Sequence, residues 1–547
     1  MAENSIAESE TSTAYLGNSL EYLGKGVNVF HEGYLVPPHI GGLLRLTENE
    51  VTTTNVGQTD VVETFGSNFA EFIQNFSVAA GLNGSYKGFT GSVETKFASS
   101  TRDSVETKFA QLSLISTGSI LSISQNPDVL KRYLTPDFEK ALAEADPVNL
   151  LKLCGTHVAI TVVIGGMLSY YSYSKKTEHL SDHDFEVAAE LKYKQRGAEV
   201  GANSKLTHKE IEKANTVEGS MQLSVNGGSQ TTRSALEGGK HDSFKAWAAT
   251  IDDYPGFLGF RPDGLIPIWR LAPTKERAAA IELAFRQMAA REFQIRIFTK
   301  TGDLAAHPDA QVGLPKYYKL LGGGARENFS GAGNLLTASF PHTDSTWVAR
   351  GKDHVLHDDA SITAFALGIY DNLDCWEVKH VSATGSPASH PSAEVALPAD
   401  FIAEGGVLVG GGAVVKDGPG ANKLLTSSYP KSETTWAANA TDYADDKPSE
   451  IEVFVRGLRC KVEGIKVEVK TDRLQSRREA HPSEKCSLGQ DFSLTGGGAF
   501  VDYGSGPGNL LTSCYPESDR TWAASSKDHQ KSSPATITAY AIGLKVS

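Results

Sequence analysis

The sequence predicts an α+β fold class: a mixed N-terminal half, then an all-β part made of three copies of one unit. Three observations predict it. Cys154–Ser174 reads as one long strand broken by a glycine pair. Asp184–Arg196 and Thr274–Met288 have helix-forming composition. After Leu320, one pattern of glycine, leucine and tryptophan recurs three times at fixed spacing. With 547 residues, 40% hydrophobic and 21% charged, the chain is long enough for several domains, each with its own core.

In the long strand, Val158, Ile160, Val162 and Ile164 stand two apart, the period of a strand with a buried face. Gly165-Gly166 inside such a run marks a bend or a close approach of backbones. Beyond it Leu168, Tyr170 and Ser172 alternate with Met167, Ser169, Tyr171 and Tyr173, so the chain stays extended. Gly155-Thr156-His157 opens the strand, seven residues ahead of the glycine pair. Tyr133-Leu-Thr-Pro-Asp-Phe138 and Asp146-Pro-Val-Asn-Leu-Leu151 lead into it.

This ordered combination resembles the signature of the membrane attack complex/perforin (MACPF) family of pore formers. An ordinary glycine-kinked core strand would share the period and the glycines but not the Gly-Thr-His approach. One position departs from the family pattern: Cys154 stands where an aromatic residue is usual. The resemblance implies a MACPF/cholesterol-dependent-cytolysin-like domain with a bent central antiparallel sheet and two helical clusters. It also implies Gly155, Thr156, His157, Gly165 and Gly166 as motif and hinge. Leu23–Phe30 resembles the opening strand of such a domain. Phe244–Met288 resembles its end, where Ala278, Ile281, Ala284 and Phe285 give a helix its apolar stripe. The expected plan is a tail over 1–19, the MACPF domain over 20–300, a linker over 301–315 and the three-repeat part over 316–547. Repeat cores are expected at 316–378, 400–465 and 488–547.

In that family the helical clusters become membrane-inserting β-hairpins, and two regions suit the change. Phe76, Val78, Ala80, Leu82 and Tyr86 alternate with small or polar residues. Phe185, Val187, Ala189, Leu191 and Tyr193 alternate with Glu186, Ala188, Glu190 and Lys192, and Val217, Met221, Leu223 and Val225 repeat the pattern. Such segments are close to the ~9–11 residues of a tilted transmembrane strand. Yet Asp184–Arg196 favours helix by composition. A solvent-facing antiparallel sheet alternates in the same way; the hinge motif favours the hairpin. SVETKFA occurs twice, at Ser92–Ala98 and Ser104–Ala110, with charges two apart as on the wet face of a strand. Lys87, Glu94, Lys96, Arg102 and Asp103 would have to face a lumen or lie outside lipid.

The C-terminal repeat consists of Gly322-Gly-Gly-Ala325, Leu335-Leu-Thr337, Trp347, Asp353 and Gly368. It returns as Gly410-Gly-Gly-Ala413, Leu424-Leu-Thr426, Trp436, Asp442 and Gly457, and again as Gly496-Gly-Gly-Ala499, Leu510-Leu-Thr512, Trp522, Asp528 and Gly543. Thr to Trp is ten residues in each copy, Trp to Asp six and Asp to Gly fifteen. Each copy is expected to hold short strands and glycine turns, with the three packed about a pseudo-threefold axis. That resembles the β-tripod (β-prism-like) domain of bacterial insecticidal MACPF toxins. Trp347, Asp353, His354, Trp436, Asp442, Tyr443, Trp522, Asp528 and His529 are the receptor- or ligand-binding candidates, as rings for stacking and polar groups for sugar hydroxyls. Against this, a tryptophan once per copy reads better as core, and Asp-His as a loop brace. Receptor contacts are expected in the loops His380–Leu397 and Thr471–Gln490, which differ between copies.

A net charge of −13 argues against a nucleic-acid partner. Met1–Gly26 lacks a basic-then-apolar leader, and the longest apolar run, Val158–Leu168, is too short to cross a bilayer as a helix. The expectation is a soluble protein, secreted or released, acting at a target-cell membrane. Cys154, Cys375, Cys460, Cys486 and Cys514 contain no CxxC pair and read as reduced thiols, with a Cys460–Cys486 pairing left open. No cofactor or metal site is expected, and without HExxH, GxSxG, a P-loop or a dinucleotide fingerprint the chain is not expected to be an enzyme. The resemblance implies a pore-forming toxin, insecticidal in kind. It would bind a glycan or protein receptor through the β part, form a homo-oligomer and insert hairpins. The alternative is a lectin-like recognition protein without pore activity.

Overall fold

The computed structural model describes residues 21–30, 42–66, 68–80, 97, 107–175, 182–195, 220–238, 244–331, 333–416, 423–442 and 448–547. The chain divides into two compact units, Met1–Phe285 and Arg286–Ser547. The tail expected at 1–19 lies outside the described residues.

The first unit contains β1 Gly26–Val27, β2 Thr52–Gly66, β3 Thr107–Ser122, β4 His157–Ala159, β5 Thr161–Lys175, β6 Ser220–Asn226, β7 Gly256–Phe260 and β8 Leu265–Pro267. Its main sheet runs β2-β3-β5-β6, with β7 also on β5; a small sheet runs β1-β4-β8. All pairings are antiparallel. Register slips line up across the main sheet: between Asn55 and Gln58 on β2, Thr117 and Ser119 on β3, and Val163 and Ile164 on β5. Extra residues in a strand kink it; here they fall at Val56-Gly57 on β2, Gly118 on β3 and Leu258 on β7, while β5 runs unbroken past them.

Two helices cover opposite faces of this sheet. Helix Phe69–Ala79 starts at Asn68, whose side chain accepts the Glu71 N–H. Its Phe69, Phe72, Ile73 and Phe76 form a helical stripe packed with Phe97 onto Phe109, Ile115 and Tyr171. Helix Asp182–Gln195 sets Phe185 and Ala189 on Ala110, Leu112, Leu168 and Tyr170. Residues 109 and 110, like 170 and 171, point to opposite sides of their strands. The stretch from Phe76, read as alternating, therefore begins as helix. Phe76 is buried and Val78 is 76% exposed, because helical geometry parts residues two apart that a strand would align.

The second unit holds three repeats of six strands. The first has β9 Ile295–Thr301, β10 Asp309–Gly313, β11 Tyr318–Asn328, β12 Leu335–Thr343, β13 Thr346–Lys352 and β14 Ser361–Tyr370. The second has β15 Trp376–Thr384, β16 Ser392–Ala396, β17 Val407–Lys416, β18 Lys423–Pro430, β19 Thr435–Asp442 and β20 Glu450–Cys460. The third has β21 Val467–Gln475, β22 Ser483–Ser487, β23 Ser493–Asp502, β24 Leu510–Pro516, β25 Thr521–Lys527 and β26 Thr536–Val546. The sheets are β10-β13-β12-β17-β20-β15, β16-β19-β18-β23-β26-β21 and β22-β25-β24-β11-β14-β9. Each takes three strands from one repeat and three from the next, and the third repeat closes onto the first.

Glycines make that closure possible. The triple glycines lie inside β11, β17 and β23. A Cβ on Gly322 would sit 2.7 Å from the Thr495 carbonyl, one on Gly410 2.7 Å from that of Leu321, and one on Gly496 2.6 Å from that of Val409. The three backbones thus meet in a ring. Leu335, Leu424 and Leu510 form one fully buried cluster. Two further expectations are corrected. Residues 301–315 are no linker, since they hold β10 and the last residue of β9, both paired within the sheets. His380–Leu397 and Thr471–Gln490 carry edge strands β15, β16, β21 and β22.

Candidate functional site

The Gly-Thr-His turn ties the first unit together. Gly155 ends helix Pro147–Cys154 at φ +83°, and a Cβ there would lie 2.8 Å from the Val27 nitrogen, so only glycine fits. Thr156 Oγ1 donates to the Val27 carbonyl at 3.1 Å and accepts the Val29 N–H at 3.2 Å. His157 Nδ1 lies 2.9 Å from Thr156 Oγ1, and its ring meets Trp269 and Phe285 edge-on. Burial pulls the imidazole down to about 3, so it is neutral at any physiological pH. It joins the opening strand to the closing segment.

The glycine pair sits where β5 changes its neighbour. β7 pairs with Val162–Gly165 and β6 with Met167–Tyr173. Neither glycine has a positive φ; the need here is space. A Cβ on Gly165 would lie 2.1 Å from the Ser116 carbonyl, and one on Gly166 2.4 Å from Ile251 Cδ1. Gly227 and Gly228, at φ +74° and +75°, complete the crossing. Trp247 closes it: its ring lies against Gly166 and Gly228, and Nε1 donates to the Gly227 carbonyl at 2.8 Å.

A family model described as the MAC/Perforin domain matches residues 13–262, the span holding this turn and the bend. The chain carries a MAC/Perforin domain. Among solved structures it is similar to GNIP1Aa from Chromobacterium piscinae, with 18% identity, 68% of this chain and 75% of that one covered, and a TM-score of 0.41. It is also similar to a MAC/Perforin-domain protein from Bacteroides thetaiotaomicron, at 14% identity, 48% and 59% coverage and a TM-score of 0.35. A third is Astrotactin-2, a vertebrate-specific perforin-like membrane protein, at 9% identity, 67% and 69% coverage and a TM-score of 0.31. No curated protein matches the chain.

Within the MAC/Perforin domain the hairpin candidates divide between helix and strand. Phe185, Val187, Ala189, Leu191 and Tyr193 lie in helix Asp182–Gln195. The helix sends Phe185 and Ala189 to the sheet, while Val187 joins Ala188 and Leu191 in a separate cluster. Met221, Leu223 and Val225 are already strand, in β6 opposite Ser172, Tyr170 and Leu168. Ala80 follows helix Phe69–Ala79 as its cap. Leu82, Tyr86 and Val217, with Lys87, Glu94, Lys96, Arg102 and Asp103, lie outside the described residues. Among the described residues no helix is long and apolar enough to cross a membrane, and no group of three His, Cys, Asp or Glu converges as for a metal. All five cysteines are free thiols, so Cys460 and Cys486 are not bonded.

In the β unit the three candidate tryptophans are core residues. Trp347, Trp436 and Trp522 are fully buried against the middle glycines Gly323, Gly411 and Gly497, each ring 2.3 Å from where a Cβ would stand. Their Nε1 atoms donate to Ser339, Ser428 and Cys514 Sγ. The Asp-His pairs brace loops. Asp353 meets His307 at 3.3 Å and His357 at 2.9 Å, which raises His357 above its ordinary value. Asp528 meets His481 at 3.2 Å and accepts the Ser533 N–H. His354 is buried, and its carbonyl faces His529 Nε2 at 2.5 Å. The Asp442 side chain and Tyr443 lie outside the described residues.

One further repeat mark escaped the sequence reading. His307-Pro308, His390-Pro391 and His481-Pro482 stand before edge strands β10, β16 and β22. Their imidazoles meet Asp353, Thr441 and Asp528 respectively. The signal was there, but at 40, 46 and 41 residues from the tryptophans it does not keep a fixed spacing.

Proposed function

We propose that this chain is a pore-forming toxin whose two sheet-flanking connections open into membrane-inserting β-hairpins. The observation that carries this is topological. Helix Phe69–Ala79 lies in the connection between β2 and β3, and helix Asp182–Gln195 in that between β5 and β6. Both connections join antiparallel neighbours. Straightening either one extends two strands already in register, so no new topology is needed. The alternation of Phe185, Val187, Ala189 and Leu191 supports the same reading, since the helix splits these four between two clusters whereas a strand would present them together to lipid. The driving force is apolar surface entering lipid, with backbone groups satisfied in a closed barrel of several copies of the chain.

The β unit would select the target cell, through exposed loops and not through its tryptophans. Loop 353–359 is the best-marked of these. Val355 holds φ +65°, strained for a β-branched residue, within a turn in which the Leu356 N–H bonds the His354 carbonyl at 2.7 Å. The turn leaves Val355 65% and Leu356 50% exposed. Insect targets follow from the family resemblance alone.

The test is dye release from receptor-bearing cells or vesicles, comparing wild type with an Ala110→Cys/Ala189→Cys pair, two small residues of one cluster that tie helix to sheet. Release that is lost on oxidation and restored on reduction supports the proposal. Binding without release in wild type would make the chain a recognition protein.

A further inference from the structure

One strand position sets the second repeat apart. Arg456 in β20 stands just before Gly457, where β14 has Leu367 and β26 has Ile542. Its cross-strand partner is His380 in β15; the partners of Leu367 and Ile542 are Ile297 and Thr471. The fold therefore accepts an apolar residue at this place twice over, yet here it carries a guanidinium.

That guanidinium is almost wholly buried, its side chain 1% exposed. Nη2 donates to the Leu320 carbonyl at 2.7 Å, but Nε and Nη1 make no hydrogen bond, and neither does the buried Nε2 of His380. Asp344, 92% exposed in the β12–β13 turn, forms a long ion pair with it, Oδ1 lying 3.5 Å from Nη1. Burial lowers Arg456 to about 10, so it remains a cation at neutral pH. Burial, then Arg456, lowers His380, so it remains a neutral imidazole. Buried donors without partners are costly. The other charged groups nearby are Glu452, which faces His380, and the Lys416 that pairs with it at 3.0 Å.

We propose that Arg456 and His380 form a recognition site for the carboxylate of an acidic sugar, occupied loosely by Asp344 in the free protein. A guanidinium presents a planar fork that matches both oxygens of a carboxylate, whereas Asp344 supplies one oxygen at long range. The site deepens the receptor role proposed for the β unit, and sugar binding would stand even if no pore forms.

The experiment is calorimetric titration of the full chain with methyl β-glucuronide, neutral methyl β-glucoside and acetate. Glucuronide should bind wild type weakly and Asp344→Asn about tenfold more tightly, the worth of removing one competing charge-assisted contact. Glucoside should not bind, and acetate should bind more weakly than glucuronide. Arg456→Leu, the residue of the first repeat, should abolish binding with an unchanged thermal midpoint. Should it fail to fold, Arg456→Lys, which keeps the charge but loses the fork, should weaken glucuronide at least several-fold. No glucuronide binding by Asp344→Asn, or binding indifferent to Arg456, would overturn the assignment. So would equal binding of glucoside.

Discussion

The two units use glycine for the same purpose and close around it differently. In the β unit, Gly322, Gly410 and Gly496 let three backbones meet, and every wall of that contact is another strand of the same closed ring. In the MAC/Perforin domain, Gly165, Gly166, Gly227 and Gly228 let β5, β6 and β7 cross, and one wall is the side chain of Trp247. A contact walled by backbone on all sides is permanent while the unit is folded. A contact walled in part by side chains, Trp247 and Ile251, loosens when one of them leaves. In the function proposed above, this difference would separate the unit that selects the target from the sheet that changes shape.

The comparison breaks if the tryptophans prove equivalent. Trp436→Ala should cost the β unit about 4 kcal/mol, a cavity under a sheet junction, and lower its calorimetric midpoint without quickening dye release per folded molecule. Trp247→Ala should cost the MAC/Perforin domain about 3 kcal/mol, yet speed release at limiting dose, because it unlocks the glycine crossing. Unaltered release kinetics would remove the plug from the account.

A third effect comes from pH. His157 titrates at about 3 when folded against 6.5 ordinarily, so the unfolded chain takes up the proton first as pH falls. The stability linked to this neutral imidazole is whole above about pH 6.5. It is lost toward pH 3 at about 1.4 kcal/mol per pH unit. Denaturation series at several pH values should show that slope flattened by one proton in His157→Gln. Smallest of all, Asp353→Asn should lower the NMR-titrated pKa of His357 with little change in stability.

Much of the fold was legible in the sequence where a steric demand fixes a residue type at fixed spacing. The Gly155-Thr156-His157 turn and the glycine pair were of that kind, as were the once-per-repeat tryptophans. The exchange of strands between repeats was not legible, since β12 pairing with β17 and β18 with β23 leaves no mark in either repeat alone. The edge strands read as loops because one side of them faces water: Val467–Gln475 is crowded with Glu468, Lys470, Asp472 and Arg473, the charge that keeps an open edge from pairing elsewhere. The site candidates fared unevenly for a related reason. Trp beside Asp and His suits a sugar site by chemistry, and only packing shows the ring fully covered. The Arg456–His380 pair lies in an otherwise apolar strand pattern, where a lone charge gives no sign of what it meets.

The most direct test of the central claim is a scan of single environment-sensitive fluorophores at positions 185 to 191, read in solution and after membrane binding. In solution the helix predicts burial at Phe185, Val187, Ala188 and Ala189, with Glu186 exposed, so that 187 and 188 read alike. On membranes the account predicts a period of two: lipid-like emission at 185, 187, 189 and 191, and aqueous emission at 186, 188 and 190. A helical period that persists on membranes that leak, or no change on binding, would contradict it.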